Sequence, residues 1–378
     1  MWIDNKHRIF GLDVIRALAI LLVLVSHSSL LLFPNSNGTL LNIVRFFGTI
    51  GVDLFFVLSG FLIGNIILKQ IKQGKTAFKD FLYFWIRRWF RTLPNYFLIL
   101  VFNILLFFFL HKEVIDGIGY FFLFWQNFYK PQPDFFTESW SLSIEEYAYV
   151  IGPLLLYFLM SFFKNIPKSK LFILTTLIII FLVAFSRFGF HLNNNVITDH
   201  DWSQKLRKVV IFRIDSIYYG FIAAFFSINY SNSWQLYKHW FFIAGIVLFF
   251  GMHIAIFTYN LLPMNSVLFY NIFYLPLVSI SLVMFLPVFS NIKTGKFLRQ
   301  QITYISILSY AIYLINYSIV LLTIQYFIDI SEASIFIKGG LLFTYWFITF
   351  CLAHFLYVFF EKPMTNLRDS KFIRSIFT

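Results

Sequence analysis

The chain has 378 residues, of which 59% are hydrophobic and 12% are charged, and its mean hydropathy is +0.76. Soluble domains carry about 25% charged residues, so this composition excludes a soluble globular protein and indicates an integral membrane protein. Long apolar runs, rather than short alternating segments, favour helices over a β-barrel. We therefore expect an all-α fold: a polytopic membrane helical bundle of about ten transmembrane helices, formed by one membrane domain over residues 1–378.

The charge and the cysteine content narrow the class further. The formal net charge is +13, which in a soluble protein would suggest a nucleic-acid partner. Here the positive residues lie between apolar runs, where they set the orientation of the spans and meet anionic lipid. We therefore expect membrane lipid as a partner and no nucleic acid. The single cysteine, Cys351, excludes an intrachain disulfide and a cysteine-based metal site, and we expect no bound metal.

Ten apolar runs are long enough to cross a membrane. The predicted spans are 9–33, 43–68, 93–111, 141–163, 170–188, 207–227, 238–257, 267–289, 303–324 and 337–360. By the positive-inside rule, the basic connections 69–92, 164–170 and 290–302 and the basic C-terminal tail predict that both termini are cytoplasmic, with the protein in the inner membrane. One segment, 187–208, breaks the rule, because it places basic residues on the predicted outside: Arg187, Lys205, Arg207 and Lys208.

The first span carries three ionisable residues, Asp13, Arg16 and His27. Such groups cost about 2.5–3.5 kcal/mol each at membrane depth, so each is a functional candidate by default. Arg16 and His27 are eleven residues apart, or close to three helical turns, which predicts one shared face and a separation of about 16 Å along the axis. The alternative is that Arg16 pairs with a carboxylate elsewhere and that His27 is a hydrogen-bonded packing residue.

The second span combines glycines with one buried acid. Gly60 and Gly64 form a small-xxx-small pair, for which helix packing is the favoured interpretation. Asp53 lies within the span and needs a cationic partner, for which Arg16 is one option.

Segment 76–92 mixes aromatic and basic residues, which is typical of an amphipathic helix on the inner membrane surface. Arg88 and Arg91 are three residues apart on one helical face, beside Arg87. They serve either as a membrane anchor and topology signal or as a phosphate-binding pair, since the planar donor fork of arginine suits phosphate. The residues alone leave both interpretations open.

The connection before the fourth span ends in a polar stretch that contains Trp140, Ser141, Glu145 and Glu146. Ser141 is a candidate helix cap, and an acid in the first turn would have a capping role. Because adjacent residues do not share a helical face, we expect at most one of the two glutamates to point into the bundle. Span four enters from the side at which His27 lies, so this carboxylate and the imidazole are predicted to meet as a general base pair.

Near the start of the sixth span, Arg213 and Asp215 are separated by one residue. A neutralised internal ion pair between them is the simplest interpretation.

Together these stretches resemble the acyltransferase-3 family of integral membrane acyltransferases, the O-antigen and peptidoglycan O-acetylase type. The matching pieces run in family order over nearly the whole chain: Gly11-Leu12-Asp13 with Arg16 and Ser26-His27, residues 51–62, Arg87-Arg88-Trp89-Phe90-Arg91, Trp125-Gln126-Asn127, residues 139–146, Arg213-Ile214-Asp215 and Glu361-Lys362-Pro363. Each motif is weak alone, and the ordered set is specific.

The resemblance implies acyl transfer, usually of acetyl from acetyl-CoA, to a hydroxyl of an envelope glycan or lipid-linked sugar. It implies that Arg16 and His27 are the essential pair and that Arg88 and Arg91, beside Arg87, serve the CoA donor. One position departs from the family: Asn316 stands where members often have histidine at the end of the Ser-Tyr-x-x-Tyr-Leu-Ile motif. We also expect no appended SGNH-type esterase domain and hence no second catalytic centre.

The sequence thus predicts a membrane O-acyltransferase with acetyl-CoA as donor and a glycan or lipid-linked sugar as acceptor. His27 would act as the base, Glu145 or Glu146 would orient it, and Arg16 would hold the donor or the charge of the pocket. The expected polar residues around the site are Asp13, Asp53, Trp140, Ser141, Arg213 and Asp215. The alternative is a transporter or flippase of lipid-linked sugars, which would also need polar residues inside a helical bundle.

Overall fold

Ten long helices make up the bundle. The computed structural model describes residues 8–36, 38–113, 115–193, 198–295, 298–330 and 333–370. Within these ranges, the helices long and apolar enough to span a membrane are α1 Phe10–Leu32, α2 Thr39–Lys72, α3 Phe78–His111, α4 Ser139–Phe162, α5 Lys168–Asn193, α6 Val210–Asn229, α7 Lys238–Thr258, α8 Phe269–Asn291, α9 Arg299–Phe327 and α10 Ile335–Leu367. The prediction of a polytopic all-α membrane bundle is confirmed.

The described ends of the chain lie on the same side, because ten crossings are an even number. We call the side at which α1 begins the terminal face and the opposite side the loop face. Three residues that support the predicted orientation of the termini, Lys296, Lys371 and Arg374, lie outside the described residues.

Helix α2 lies at the centre and packs most extensively against α1 and α6. Glycines permit the close approach to α6: a Cβ on Gly60 would lie 1.9 Å from the carbonyl oxygen of Ile217. On the facing helix, a Cβ on Gly220 would lie 2.4 Å from the carbonyl oxygen of Val57. Small residues let helix backbones meet in this way, so the packing role predicted for the glycines of the second span is correct.

The predicted surface helix over 76–92 is wrong as a separate element. Helix α3 runs without interruption through Pro94 to His111. The apolar side of its first half faces protein, because Phe81, Phe84 and Trp85 are buried and the Trp85 indole N–H donates to the Tyr149 carbonyl at 2.8 Å. The first half of α3 therefore packs against α4 as part of the bundle.

Two buried ion pairs join α2, α5 and α6, and both differ from the predicted pairing. Arg213 pairs with Asp53 of α2, and Asp215 pairs with Arg187 of α5. Arg213 and Asp215 do not pair with each other, since residues two apart point to different sides of a helix. Arg16 is not the partner of Asp53, because Arg213 occupies that place.

Helix α9 contains a π-helical segment, Asn316–Leu321, that begins at the residue departing from the family pattern. The amide of Asn316 donates to the carbonyl oxygens of Ile312 at 2.8 Å and Tyr313 at 2.9 Å. A π segment changes the register of the helical hydrogen bonds, and a side-chain donor satisfies carbonyls at that point. The Asn316 side chain therefore satisfies backbone carbonyls of α9 at the point where the π segment begins.

Candidate functional site

Three cavities follow one another from the terminal face toward the loop face. The first, which we call the basic pocket, has a volume of about 380 Å³ and is lined by Lys69, Lys75, Arg87, Arg88, Arg91 and Arg368 among others. The second, the central cavity, has a volume of about 120 Å³ and shares Arg88 and Arg91 with the basic pocket. The third, the His27 cavity, has a volume of about 210 Å³ and shares Val52 and Tyr313 with the central cavity.

The basic pocket collects the three arginines that the sequence singled out. Arg87 forms an ion pair with Asp369 at 2.8 Å and contacts the Tyr83 hydroxyl at 2.9 Å. Arg88 and Arg91 line both the basic pocket and the central cavity. The Arg88 Nε atom is buried, and among the described residues it has no hydrogen-bond partner. This donor set suits phosphate groups, which is the chemistry that a CoA donor presents.

The central cavity contains Arg16, Arg88 and Glu145. The Arg88 guanidinium lies over the Tyr149 ring at 4.3 Å and approaches the Glu145 carboxylate at 3.4 Å. Glu145 also accepts hydrogen bonds from the Tyr149 hydroxyl at 2.7 Å and the Ser59 hydroxyl at 3.2 Å. The acid is therefore a partner of Arg88 and does not contact His27.

Asp13 binds Arg8 more closely than Arg16, so the Arg16 guanidinium is available to a ligand in the central cavity. Asp13 pairs with Arg8 and accepts a hydrogen bond from the Ser306 hydroxyl at 2.8 Å. Arg16 keeps only a 3.9 Å contact with Asp13, and its side chain is 17% exposed. A guanidinium that is held loosely beside a cavity can act on a ligand.

Both adjacent glutamates point into the protein, which corrects the expectation that at most one does. Glu145 faces the central cavity, whereas Glu146 is buried and accepts a hydrogen bond from the Thr92 hydroxyl of α3 at 2.8 Å. The first half of α3 covers a side of α4 that the predicted surface helix would have left open. Two different sides of α4 are thus buried at this level.

The boundary between the central cavity and the His27 cavity is polar. The hydroxyls of Tyr313 and Ser141 are 2.7 Å apart, and Tyr313 also donates to the Glu138 carbonyl at 3.2 Å. Ser141 is therefore not the helix cap that the sequence suggested, because α4 begins earlier, at Ser139. Trp140 lines the His27 cavity on the other side of this boundary.

His27 is oriented by Asn316, which no sequence argument had assigned to it. The Nδ1 atom of His27 lies 2.5 Å from the Asn316 side-chain oxygen. Because the Asn316 amide nitrogen donates to two backbone carbonyls, its oxygen must accept, so Nδ1 carries the proton. This tautomer leaves a lone pair on Nε2, as a general base requires.

The carboxylate in the His27 cavity is Glu138, not Glu145 or Glu146. The Ser318 hydroxyl and backbone N–H both donate to one Glu138 oxygen, at 2.6 and 3.2 Å. Burial raises the pKa of Glu138 to about 7. Glu138 precedes the first turn of α4, and helical periodicity alone gave no signal for its position.

Three cations also line the His27 cavity: Arg45, Arg207 and Lys208. The motif Gln126-Asn127 positions this side of the cavity, because the Asn127 amide donates to the carbonyls of Trp140 at 2.9 Å and Lys208 at 2.7 Å. The signal that could have found Arg207 and Lys208 is their violation of the positive-inside rule.

No cluster of three or more histidine, cysteine, aspartate or glutamate residues suited to a metal ion occurs in the part of the chain that the structure describes. The expectation that the protein binds no metal stays a prediction.

Comparisons with known proteins identify the family of the chain. A family model described as an acyltransferase domain, acyltransferase 3, matches residues 9–362. The chain is 33% identical to the peptidoglycan O-acetyltransferase OatA of Listeria monocytogenes over 178 residues, which is 43% of this chain and 26% of that protein. It is 35% identical to the putative peptidoglycan O-acetyltransferase YrhL of Bacillus subtilis over 168 residues, 40% of this chain and 24% of that protein.

The O-acetyltransferase OatA of Staphylococcus aureus is 30% identical over 190 residues, 46% of this chain and 28% of its own length. The chain thus spans about a quarter of the length of the curated relatives that it matches. No solved structure matches the chain. Since the family model covers nearly all of the chain, the protein is a multi-pass membrane protein of the acyltransferase-3 family.

Proposed function

We propose that this protein is a membrane O-acyltransferase that moves an acyl group, in the first instance acetyl, from acyl-CoA to a hydroxyl of a cell-envelope glycan. The observation that carries the proposal is the series of three cavities that joins an arginine cluster at one face to a histidine in its basic tautomer near the other face. The peptidoglycan O-acetyltransferases among the relatives support the acceptor class.

The basic pocket is the proposed docking site for the CoA phosphates. Arg87, Arg88 and Arg91 supply planar donor forks there, and the lysines of the pocket add positive charge. The thin thiol arm of CoA then enters the smaller central cavity beside Arg16. The excess of basic residues on the terminal face supports a cytoplasmic location for this pocket and an inner-membrane location for the protein.

The proposed chemical step takes place where the central cavity meets the His27 cavity. His27 Nε2 accepts the proton of an acceptor hydroxyl as the hydroxyl oxygen attacks the thioester carbonyl. The carbon–sulfur bond breaks, the ester forms, and the CoA thiolate takes up the proton that the imidazole holds. General-base catalysis of this kind is worth roughly 10²–10⁴-fold in rate.

The other polar residues have supporting roles in this proposal. Asn316, rather than Glu145 or Glu146, fixes the tautomer and orientation of His27. Arg16 provides positive charge beside the thioester. Glu145 pairs with Arg88 at 3.4 Å at the entrance of the central cavity, and the CoA phosphates compete with this carboxylate for the guanidinium.

Release of CoA from acetyl-CoA tests the proposal. The purified protein in lipid nanodiscs is incubated with and without an envelope-glycan fraction, as wild type and as His27→Ala. The matched control is His253→Ala, because His253 is also a membrane-span histidine but binds the Phe249 carbonyl at 2.7 Å and lines none of the three cavities.

We expect glycan-dependent release in the wild type and in His253→Ala, and a loss of at least about 100-fold in His27→Ala. Release that persists in the folded His27→Ala protein would exclude His27 as the base. A folded wild type that consumes no acyl-CoA with any glycan fraction would contradict the enzyme assignment.

A further inference from the structure

Four basic residues on the loop face violate the positive-inside rule, and the structure accounts for two of them. Arg187 is fully buried and pairs with Asp215. Lys205 is exposed and pairs with Asp201 at 2.9 Å, one helical turn away. Arg207 and Lys208 have neither explanation, and both line the His27 cavity.

A third cation, Arg45 of α2, completes this side of the cavity. Arg45 donates to the Phe33 carbonyl at 2.6 Å, while its Nε atom is buried and lacks a hydrogen-bond partner among the described residues. Arg207 donates to the Ser203 hydroxyl at 2.9 Å and lies 5.0 Å from the Trp140 ring centroid. The three cations thus come from two separate segments and converge on one cavity.

Within the described ranges, no carboxylate lies within ion-pair distance of Arg45, Arg207 or Lys208. The acid in the cavity, Glu138, is held by Ser318 instead. Burial, together with the charge of Arg207 and against a partial offset from Asp134, lowers the pKa of Lys208 to about 8. Cations held close together without a counter-ion are a cost that an anionic ligand removes.

We propose that the His27 cavity recognises the acyl acceptor through an anionic group, a carboxylate or a phosphate, that lies beside the hydroxyl to be acylated. This inference rests on the proposed function. Arg45, Arg207 and Lys208 bind the anion, and the adjoining Trp140 ring faces the sugar. The charge selects among glycans, because a neutral sugar would leave the cations without a partner.

The anion bound here is distinct from the phosphates of CoA. The basic pocket lies at the opposite end of the series, and none of the described residues that line it also lines the His27 cavity. Two anion sites on opposite faces, separated by the narrow central cavity, fit a donor and an acceptor that arrive from opposite sides.

Direct binding to the full chain in nanodiscs of neutral lipid tests the inference without requiring turnover. The probes are hyaluronan tetrasaccharide, which carries carboxylates, and N-acetylglucosamine 1-phosphate, which carries a phosphate. Their neutral counterparts are chitotetraose and N-acetylglucosamine. The variants are Arg207→Gln and Lys208→Gln, and the matched control is Lys205→Gln, which removes the same charge from the same segment outside the cavity.

We expect at least one anionic probe to bind about tenfold more tightly than its neutral counterpart, with affinity that falls as salt rises. Arg207→Gln and Lys208→Gln each weaken that binding about tenfold, whereas Lys205→Gln changes it less than twofold. Arg207→Lys, which keeps the charge, retains most of the affinity. The probe that binds identifies the anion as carboxylate or phosphate. Thermal unfolding midpoints are measured for each variant to confirm that it is folded.

Equal affinity for anionic and neutral probes overturns the inference, as does anion binding that is unchanged in both folded cavity variants. An absence of saturable binding by either anionic probe overturns it as well. None of these results contradicts the proposed acyl transfer, because the acceptor could then be a neutral glycan. Loss of CoA release in the wild type would instead count against the proposed function.

Discussion

The two halves of the cavity series hold their cations in different ways. The terminal half consists of the basic pocket and the central cavity, and the loop half is the His27 cavity. In the terminal half, two of the arginines are paired with acids: Arg88 with Glu145 and Arg87 with Asp369. In the loop half, Arg45 and Arg207 are held by a backbone carbonyl and a hydroxyl. A ligand that binds Arg87 or Arg88 must therefore compete with internal carboxylates. In the part of the chain that the structure describes, no carboxylate lies within ion-pair distance of the three cations of the loop half.

This difference has a consequence for the order of binding. An internal ion pair keeps a cavity closed to weak anions and gives way only to a multivalent ligand such as a polyphosphate. Among the described residues, the loop half has no such ion pair, so we expect a single anionic group to be sufficient for binding there. Substitutions that change one half and leave the other intact can test this contrast.

The largest effect is expected for Asn316→Leu in the loop half. The leucine is similar in size but cannot accept the His27 Nδ1–H bond, so the productive tautomer is no longer fixed. We expect acyl transfer to fall about 100-fold, with a shifted pH profile and little change in acyl-CoA binding. Asn103→Leu is the matched control, because Asn103 is a buried asparagine of α3 that donates to Ile99 outside the three cavities. An unchanged pH profile in Asn316→Leu would reduce Asn316 to a packing residue.

A somewhat smaller effect is expected for Arg88→Gln in the terminal half. The substitution removes a guanidinium that lines both the basic pocket and the central cavity. We expect acyl-CoA to bind about 30-fold more weakly, which corresponds to about 2 kcal/mol, while binding of the anionic acceptor probes stays the same. Titration with a non-hydrolysable acyl-CoA measures the first and the hyaluronan probe the second. Equal losses at both sites would show that the two halves are not independent.

Glu138→Gln tests the acid of the loop half through the pH dependence of stability. Since burial raises the pKa of Glu138 to about 7, its protonated form stabilises the fold at low pH. That contribution is lost as pH rises from the unfolded value through about 7. We expect the wild type to lose about 2 kcal/mol relative to Glu138→Gln between pH 5 and pH 8, measured as a difference in unfolding midpoint. Parallel pH curves for the two proteins would contradict the assignment.

The smallest effect is expected for Glu145→Gln, and it has the opposite sign to Arg88→Gln. Neutralising the carboxylate removes the competitor for Arg88 and keeps the hydrogen-bonding shape of the side chain. We expect acyl-CoA to bind about 3- to 10-fold more tightly at low salt, with less gain at high salt. Weaker binding would show that Glu145 orients Arg88 for the donor rather than competing with it.

The number, order and approximate limits of the spans follow from the sequence, because each transmembrane helix is a local run of apolar residues whose backbone satisfies itself. The presence of Arg16 and His27 at separate levels of one helix also follows, since periodicity gives face and depth. The motifs 51–62 and 139–146 indicated the family because the residues of each motif, and the order of the motifs, can be read directly from the sequence.

The partners of these residues were decided by tertiary structure. Asp53 meets Arg213, and His27 meets Asn316, through contacts between helices that are distant in sequence. Glu145 meets Arg88 because α3 continues straight through Pro94 and lies against α4. A helical pattern tells which side of a helix is polar but not which helix faces it, so the pairing of buried charges depends on how the ten helices pack.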